Sequence, residues 1–231
     1  GELALEGSVF ARSKPLLLLA YLAVEGPKSR AYLAELVWAG AADPRDSLST
    51  ILRRLRQVGP KLIEVNGSHL SSAVPCDAVE MLRAAASGDD EATLRLYTGP
   101  FLDGAALKMS TELEEWVFTT RERVALAVRS ALLRLAGAAL KAGDTTRSRN
   151  LAERAFAVAY GPVWEDEALA ALIDVLERTG SARLREAVAE AASLRVSLTE
   201  VVSDPRRAAK ELPYVTTSFH GRGEELSALS E

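Results

Sequence analysis

The stretch that decides the fold is PRDSLSTILRRLRQV, residues 44–58. Its apolar residues recur at helical spacing, and at about 100° per residue they fall within about 60° of Leu48. They are Leu48, Ile51, Leu52 and Leu55. The opposite side is rich in arginine, and residues 44–61 hold five basic residues and one acidic residue. The stretch therefore predicts an amphipathic helix with a buried apolar stripe and a positively charged exposed face.

The residues before this helix predict two further helices and a hairpin. Ser13 and the apolar run after it indicate a buried helix that stops at Gly26-Pro27, and a second helix is expected from Ser29 to Trp38. Residues 2–10 alternate around Gly7-Ser8, which is typical of a short β-hairpin.

The residues after this helix predict a second hairpin. LIEV at 62–65 and HLSS at 69–72 flank Asn66-Gly67, and an Asn-Gly pair between short strands is a strong hairpin signal. The order hairpin, three helices, hairpin predicts a winged helix, that is, a helix-turn-helix with a β-hairpin wing. We assign it to residues 1–75.

Residues 76–200 predict an all-α domain, so the expected fold class is mainly α. Helical periodicity runs through residues 77–86, 90–97, 112–142, 145–160, 164–179 and 182–196. Gly88, Gly143 and Gly180 stand at helix junctions, at spacings that make this an irregular relative of the tetratricopeptide repeat. Stacked helical hairpins of this kind either present a groove to a protein partner or only form a core.

Residues 201–231 predict a linker. TTSFHGRGEEL at 216–226 resembles the entry to the nucleotide-binding module of large signal-transducing ATPases. No phosphate-loop motif occurs in the 231 residues, so the sequence predicts no nucleotide or other cofactor here. A nucleotide-binding domain following the linker and a plain C-terminal tail are both compatible with this stretch.

Composition restricts the other function classes. One cysteine and two histidines cannot build a Cys/His zinc site, so the sequence predicts no metal. The sequence has no motif that pairs a nucleophile with a general base, so we expect the protein not to be an enzyme. The longest apolar run is about half the ~20 residues that cross a bilayer, so we expect no membrane partner and a cytoplasmic location. The net charge is −4, but residues 1–75 carry +2 and the rest −6. A nucleic-acid contact is therefore expected only in the first third of the chain.

If the arginine-rich helix enters a major groove, residues near its N-terminus reach base edges and the others contact phosphates. The base-edge candidates are Ser49, Thr50 and Arg53. The phosphate candidates are Arg45, Arg54, Arg56 and Lys61.

The whole arrangement resembles the N-terminal half of the Streptomyces antibiotic regulatory protein family, a winged helix followed by a bacterial transcriptional activator domain. The resemblance covers residues 12 to about 200. The matching stretches are RDSL at 45–48, ILRRLR at 51–56, LIEV at 62–65, Asp77, LYTGPFL at 96–102, EEW at 114–116 and RER at 121–123. It implies activation of transcription and binding to direct repeats in DNA. The expected partners are promoter DNA, a second copy of the chain in a homodimer, and RNA polymerase.

Two functions therefore stand at this stage. The first is a sequence-specific DNA-binding transcription regulator in which the winged helix reads the major groove and the helical domain mediates dimerisation or protein contact. The second is a protein-interaction scaffold in which the winged helix packs on protein and does not bind DNA.

Overall fold

The structure is a computed structural model that describes residues 13–103 and 109–203. The described chain is mainly helical, with a small three-stranded antiparallel sheet. The hairpin expected at residues 2–10 and the stretch at 216–226 lie outside the described residues.

The first helix, α1 (Ser13–Glu25), is buried on almost every side, as its run of leucines predicts. Leu17, Leu18 and Leu22 are each at most 2% exposed. The helix ends at Gly26, whose φ of +74° is a left-handed conformation that glycine adopts without steric penalty. Helix α1 therefore supplies much of the core of the N-terminal part.

A two-residue strand, β1 (Lys28–Ser29), precedes helix α2 (Arg30–Val37) and was not expected from the sequence. Ser29 ends this strand and also caps α2, because its hydroxyl accepts a hydrogen bond of 3.3 Å from the backbone N–H of Tyr32. Helix α3 (Pro44–Val58) follows and packs mainly against α2, which confirms the helix predicted there.

Strands β2 (Ile63–Asn66) and β3 (His69–Ser72) form the expected second hairpin. The pairing of Asn66 with His69 makes the two-residue loop Gly67-Ser68, one residue later than the Asn-Gly signal suggested. Gly67 has a φ of +59°, as the first loop position of a type II′ turn requires. The sheet order is β1-β3-β2, so β1 joins the free edge of the hairpin.

The remaining chain is helical. Its elements are α4 (Asp77–Ala86), α5 (Asp90–Leu96), α6 (Thr111–Lys141), α7 (Thr145–Phe156), α8 (Asp166–Arg178) and α9 (Leu184–Ser203). Asp89, Ser110 and Asp144 cap α5, α6 and α7 through side-chain oxygens. The predicted helices are confirmed here, except that α7 and α8 are shorter and α9 is longer than expected.

The connection between α7 and α8 is the clearest departure from the predicted helices. Helix α7 stops at Phe156, four residues before the expected end at Tyr160, where φ is +57°. Trp164 precedes α8 and is buried, with the Arg129 guanidinium 4.2 Å from its ring centroid. A contact of this kind joins distant residues and leaves no trace in local periodicity.

Helix α6 is the longest element and packs against α4, α5, α7 and α8. Helices α1 and α2 contact α4 and α6, and residues up to Ala187 form one compact unit. Helix α9 starts in this unit. The proposed boundaries at residues 75 and 200 stay predictions. In the described ranges, no helix is both long and apolar enough to cross a lipid bilayer.

Candidate nucleic-acid interface

The start of α3 is fixed by Asp43 and Pro44. The Asp43 carboxylate accepts a hydrogen bond of 2.9 Å from the backbone N–H of Asp46, and proline at the first helical position is already in a helical conformation. The capping residue of α3 is thus Asp43. The cap holds the first turn of α3 in place, and this turn carries Arg45.

The inward stripe of α3 is as predicted. Leu48, Ile51, Leu52 and Leu55 are between 1% and 8% exposed. Burial of these four side chains fixes the rotation of the helix about its axis, since each would otherwise leave apolar surface in water. The arginine-rich side of α3 is thereby turned away from the core.

The predicted contact residues lie in three different positions. Four exposed residues follow one another at helical spacing along one edge of α3. These residues are Arg45, Ser49, Arg53 and Arg56. Thr50 and Arg54 lie on the other flank and are half-buried, and Lys61 is exposed in the loop between α3 and β2. We call the four exposed residues the α3 row.

The predicted cationic contact residues have no ion-pair partner among the described residues. Within residues 13–103 and 109–203, Arg45, Arg53, Arg54, Arg56 and Lys61 form no ion pair. The ion pairs of the described chain lie in the helical part, for example between Arg134 and Asp90 at 2.6 Å. The surface around α3 therefore presents positive charge that is available to an external anion.

Ser49 differs from the other members of the α3 row because its hydroxyl group is already engaged. The Ser49 Oγ donates a hydrogen bond of 2.9 Å to the carbonyl oxygen of Arg45, one turn earlier. Its proton is used inside the helix, so Ser49 offers outward only the lone pairs of its oxygen.

A groove of about 450 Å³ lies beside the α3 row and adds residues that the sequence did not single out. Arg45 and Ser49 line it together with Arg30 at the start of α2 and Ser68 in the hairpin loop. The Arg30 backbone N–H donates a hydrogen bond of 2.9 Å to the Ser68 carbonyl oxygen, which holds the loop against α2. The only sequence signal for Arg30 was its charge beside the capping Ser29.

A separate face of α1 and α2 makes the contact with α6. The Trp116 indole N–H donates a hydrogen bond of 2.9 Å to Glu25 Oε1, and its ring lies 4.8 Å from that of Tyr21 and 5.5 Å from that of Phe101. Trp116 and Phe101 belong to the stretches that carry the family resemblance. We call this cluster the junction, and it contains no residue of α3.

Four hydrogen bonds extend the junction. The Tyr32 hydroxyl donates a hydrogen bond of 2.9 Å to Glu112, and Ser110 Oγ donates one of 3.0 Å to the Leu36 carbonyl. Arg121 donates hydrogen bonds of 2.8 Å to the carbonyl oxygens of Phe101 and Leu102. Partial burial and the hydrogen bonds to Tyr21 and Glu112 raise the pKa of Tyr32 above its usual range.

Comparison with known proteins adds no assignment. No protein-family profile matches the sequence, and no curated protein is significantly similar to it. In the part of the chain that the structure describes, no three His, Cys, Asp or Glu side chains lie close enough together to hold a metal ion.

Proposed function

We propose that the chain is a sequence-specific DNA-binding transcription regulator, and an activator. In this proposal α1, α2, α3 and the β2–β3 hairpin act as a winged helix, α3 enters the major groove of promoter DNA, and the hairpin is the wing. The tetratricopeptide-like helices after residue 76 mediate dimerisation or contact with RNA polymerase.

One observation supports this proposal above the others. The α3 row is exposed, its arginines form no ion pair in the described chain, and the principal contacts of α3 are with α2 and β2. In a helix that serves only for packing, the charged side chains would form ion pairs or be covered by other residues. Arginines without an ion-pair partner can bind an external polyanion such as DNA without first breaking an ion pair within the protein.

The local geometry suggests a role for each candidate. Arg53 is exposed and has the fork of N–H donors that pairs with the O6 and N7 atoms of guanine. The Ser49 oxygen would accept a hydrogen bond from an amino group of adenine or cytosine, because its own proton is already donated to the Arg45 carbonyl oxygen. We assign the exposed side chains of Arg45, Arg56 and Lys61 to phosphate contacts. Thr50 and Arg54 are half-buried, so we assign them a smaller share of the contact.

The scaffold function has its own observation in its favour, since α1 and α2 do pack on α6 at the junction. That packing uses Tyr21, Glu25 and Tyr32, whereas the principal contacts of α3 are with α2 and β2. The contact is therefore compatible with DNA binding, and we give DNA binding precedence.

The test uses the whole chain and a duplex recovered by selection from a random pool, with fluorescence anisotropy measured over a range of salt concentrations. Replacement of Arg53, Arg54 and Arg56 by alanine should weaken binding and reduce the slope of log affinity against log salt by about 0.9 for each phosphate that is no longer neutralised. A control variant with Arg83, Arg123 and Arg185 replaced by alanine has the same change of charge on exposed residues of other helices.

The control variant should bind the duplex like the wild type. If the α3 variant also keeps the wild-type affinity and salt slope, the assignment of α3 is wrong and the scaffold function takes its place.

A further inference from the structure

A second groove, of about 690 Å³, lies where α5, α6 and α7 meet, in the acidic part of the chain. Its floor is apolar and consists of Leu94 from α5, Leu135 from α6 and Leu151 from α7. Leu151 is buried, while Leu94 and Leu135 are half-buried and so still offer apolar surface. A volume of this size is typical of ligand sites in proteins.

Arginines surround this floor. Arg95 stands on α5, and Arg147 and Arg154 stand two turns apart on the facing side of α7, with Asn150 between them. Arg95 and Arg154 are exposed, and neither side chain has an ion-pair or hydrogen-bond partner in the described chain. They resemble the arginines of α3 in this respect.

The two acidic residues of the groove already accept hydrogen bonds from within the protein. Glu91 accepts a hydrogen bond of 2.7 Å from Arg147, which links α5 to α7 across one end of the groove. Asp144 caps α7 by accepting a hydrogen bond of 2.9 Å from the Arg147 backbone N–H. The positive charge that remains available is therefore that of Arg95 and Arg154.

We propose that this groove binds a short acidic peptide segment of a partner protein that also carries leucine or a similar apolar residue. The carboxylates of the segment would pair with Arg95 and Arg154, and its apolar side chain would cover Leu94 and Leu135. We choose this kind of peptide because its charge and its apolar side chain complement the groove, which offers unpaired cations over an apolar floor. A nucleic acid fits less well, since a phosphate backbone has no apolar side chain to cover Leu94 and Leu135.

This inference does not depend on DNA binding by α3. The groove and the α3 row share no residue, so each can fail without the other.

The test measures the binding of three fluorescein-labelled ten-residue peptides to the whole chain by anisotropy. The first peptide alternates Glu with Leu, the second alternates Glu with Ser and the third alternates Lys with Leu. We expect the Glu/Leu peptide to bind best. Equal binding of the Glu/Ser peptide would contradict the role of the apolar floor, and equal binding of the Lys/Leu peptide would contradict the role of the arginines.

The deciding variant is Arg95→Glu with Arg154→Glu, and its control is Arg83→Glu with Arg123→Glu, which reverses two exposed charges outside the groove. The groove variant should bind the Glu/Leu peptide at least about tenfold more weakly, as is usual when charge pairs are reversed, and should gain affinity for the Lys/Leu peptide. The control should behave like the wild type. A milder pair, Arg95→Gln with Arg154→Gln, should give an intermediate loss, and circular dichroism checks that each variant is folded.

Two further outcomes are decisive. The proposal would be overturned if the groove variant bound the Glu/Leu peptide like the wild type. It would also be overturned if the groove variant lost binding to the DNA duplex but kept binding to the Glu/Leu peptide. The variant with Arg53, Arg54 and Arg56 replaced by alanine should keep peptide binding, which separates this inference from the proposed function of α3.

Discussion

The Trp116 indole N–H donates a hydrogen bond of 2.9 Å to Glu25 Oε1, and so joins α6 to the last residue of α1 across 91 positions of sequence. The same indole ring lies 4.8 Å from the ring of Tyr21 and at an angle of 57° to it. One side chain thus combines a hydrogen bond to a charged group with aromatic packing. Both interactions stabilise the contact between the two parts of the chain.

Trp116→Phe should lower the free energy of unfolding by about 1 to 3 kcal/mol, because it removes the N–H donor and part of the ring packing. Glu25→Gln keeps an acceptor oxygen and should change the stability much less. Urea unfolding followed by circular dichroism measures both variants. A phenylalanine variant as stable as the wild type would show that the Trp116 indole N–H and its hydrogen bond to Glu25 do not contribute to stability.

Tyr32→Phe should reduce the loss of stability in alkali. The pKa of Tyr32 is raised in the folded chain by partial burial and by its hydrogen bonds to Tyr21 and Glu112. Below about pH 10, the usual pKa of tyrosine, the proton is bound in both states and the full stabilisation is present. Above that pH the unfolded chain releases the proton first, so stability falls as the pH rises.

The comparison is made by urea unfolding at about pH 8 and about pH 10.5. Tyr32→Phe is expected to be less stable at the lower pH, because two hydrogen bonds are removed, and its stability should fall less on going to the higher pH. An equal fall in both proteins would show that Tyr32 does not carry the alkaline effect.

Gly161→Ala and Gly137→Ala should have opposite effects. An added Cβ at Gly161 would overlap the guanidinium of Arg129, which is held between the Pro162 carbonyl and the Trp164 ring. Gly137 lies inside α6 with open space around its Cα. We therefore expect Gly161→Ala to be destabilising by about 1 to 3 kcal/mol and Gly137→Ala to be stabilising by up to about 1 kcal/mol. Thermal unfolding measures both, and a change of the same sign in the two variants would contradict this account.

Arg30→Ala should weaken binding to duplexes of different sequence to a similar degree. Arg30 lines the groove beside Arg45 and Ser49, and a contact from this position to a phosphate carries no sequence information. The slope of log affinity against log salt should fall by about 0.9 relative to the wild type. Arg83→Ala, with the same change of charge on α4, should leave the slope unchanged, and an unchanged slope in Arg30→Ala would exclude Arg30 from the interface.

Local patterns in the sequence were sufficient for the central element of the site. The apolar residues of α3 are spaced so that only one rotation of the helix buries them, and the exposed row that starts at Arg45 follows from it. The capping of α3 by Asp43 and the hairpin at Gly67 are also local, since each depends on residues within a few positions of one another. Elements of this kind can be predicted from periodicity and turn chemistry.

The remainder of the site depends on distant partners. Strand β1 exists because Lys28 pairs with Leu70 and Ser29 with His69, and a two-residue strand has no pattern of its own. That pairing brings the start of α2 to the hairpin loop and so adds Arg30 and Ser68 to the surface around α3. The connection after α7 also has a distant partner, because the Arg121 guanidinium lies 4.6 Å from the ring centroid of Tyr160.

Helix α6 has 31 residues, and it carries contacts of two kinds at its two ends. Glu112 in its first turn accepts the hydrogen bond from Tyr32 of α2, and Leu135 near its other end lines the groove between α5 and α7. At 1.5 Å per residue these two positions are about 35 Å apart along the helix, which is close to one turn of B-DNA. A single unbroken helix therefore sets the distance between the contact with α2 and the groove between α5 and α7.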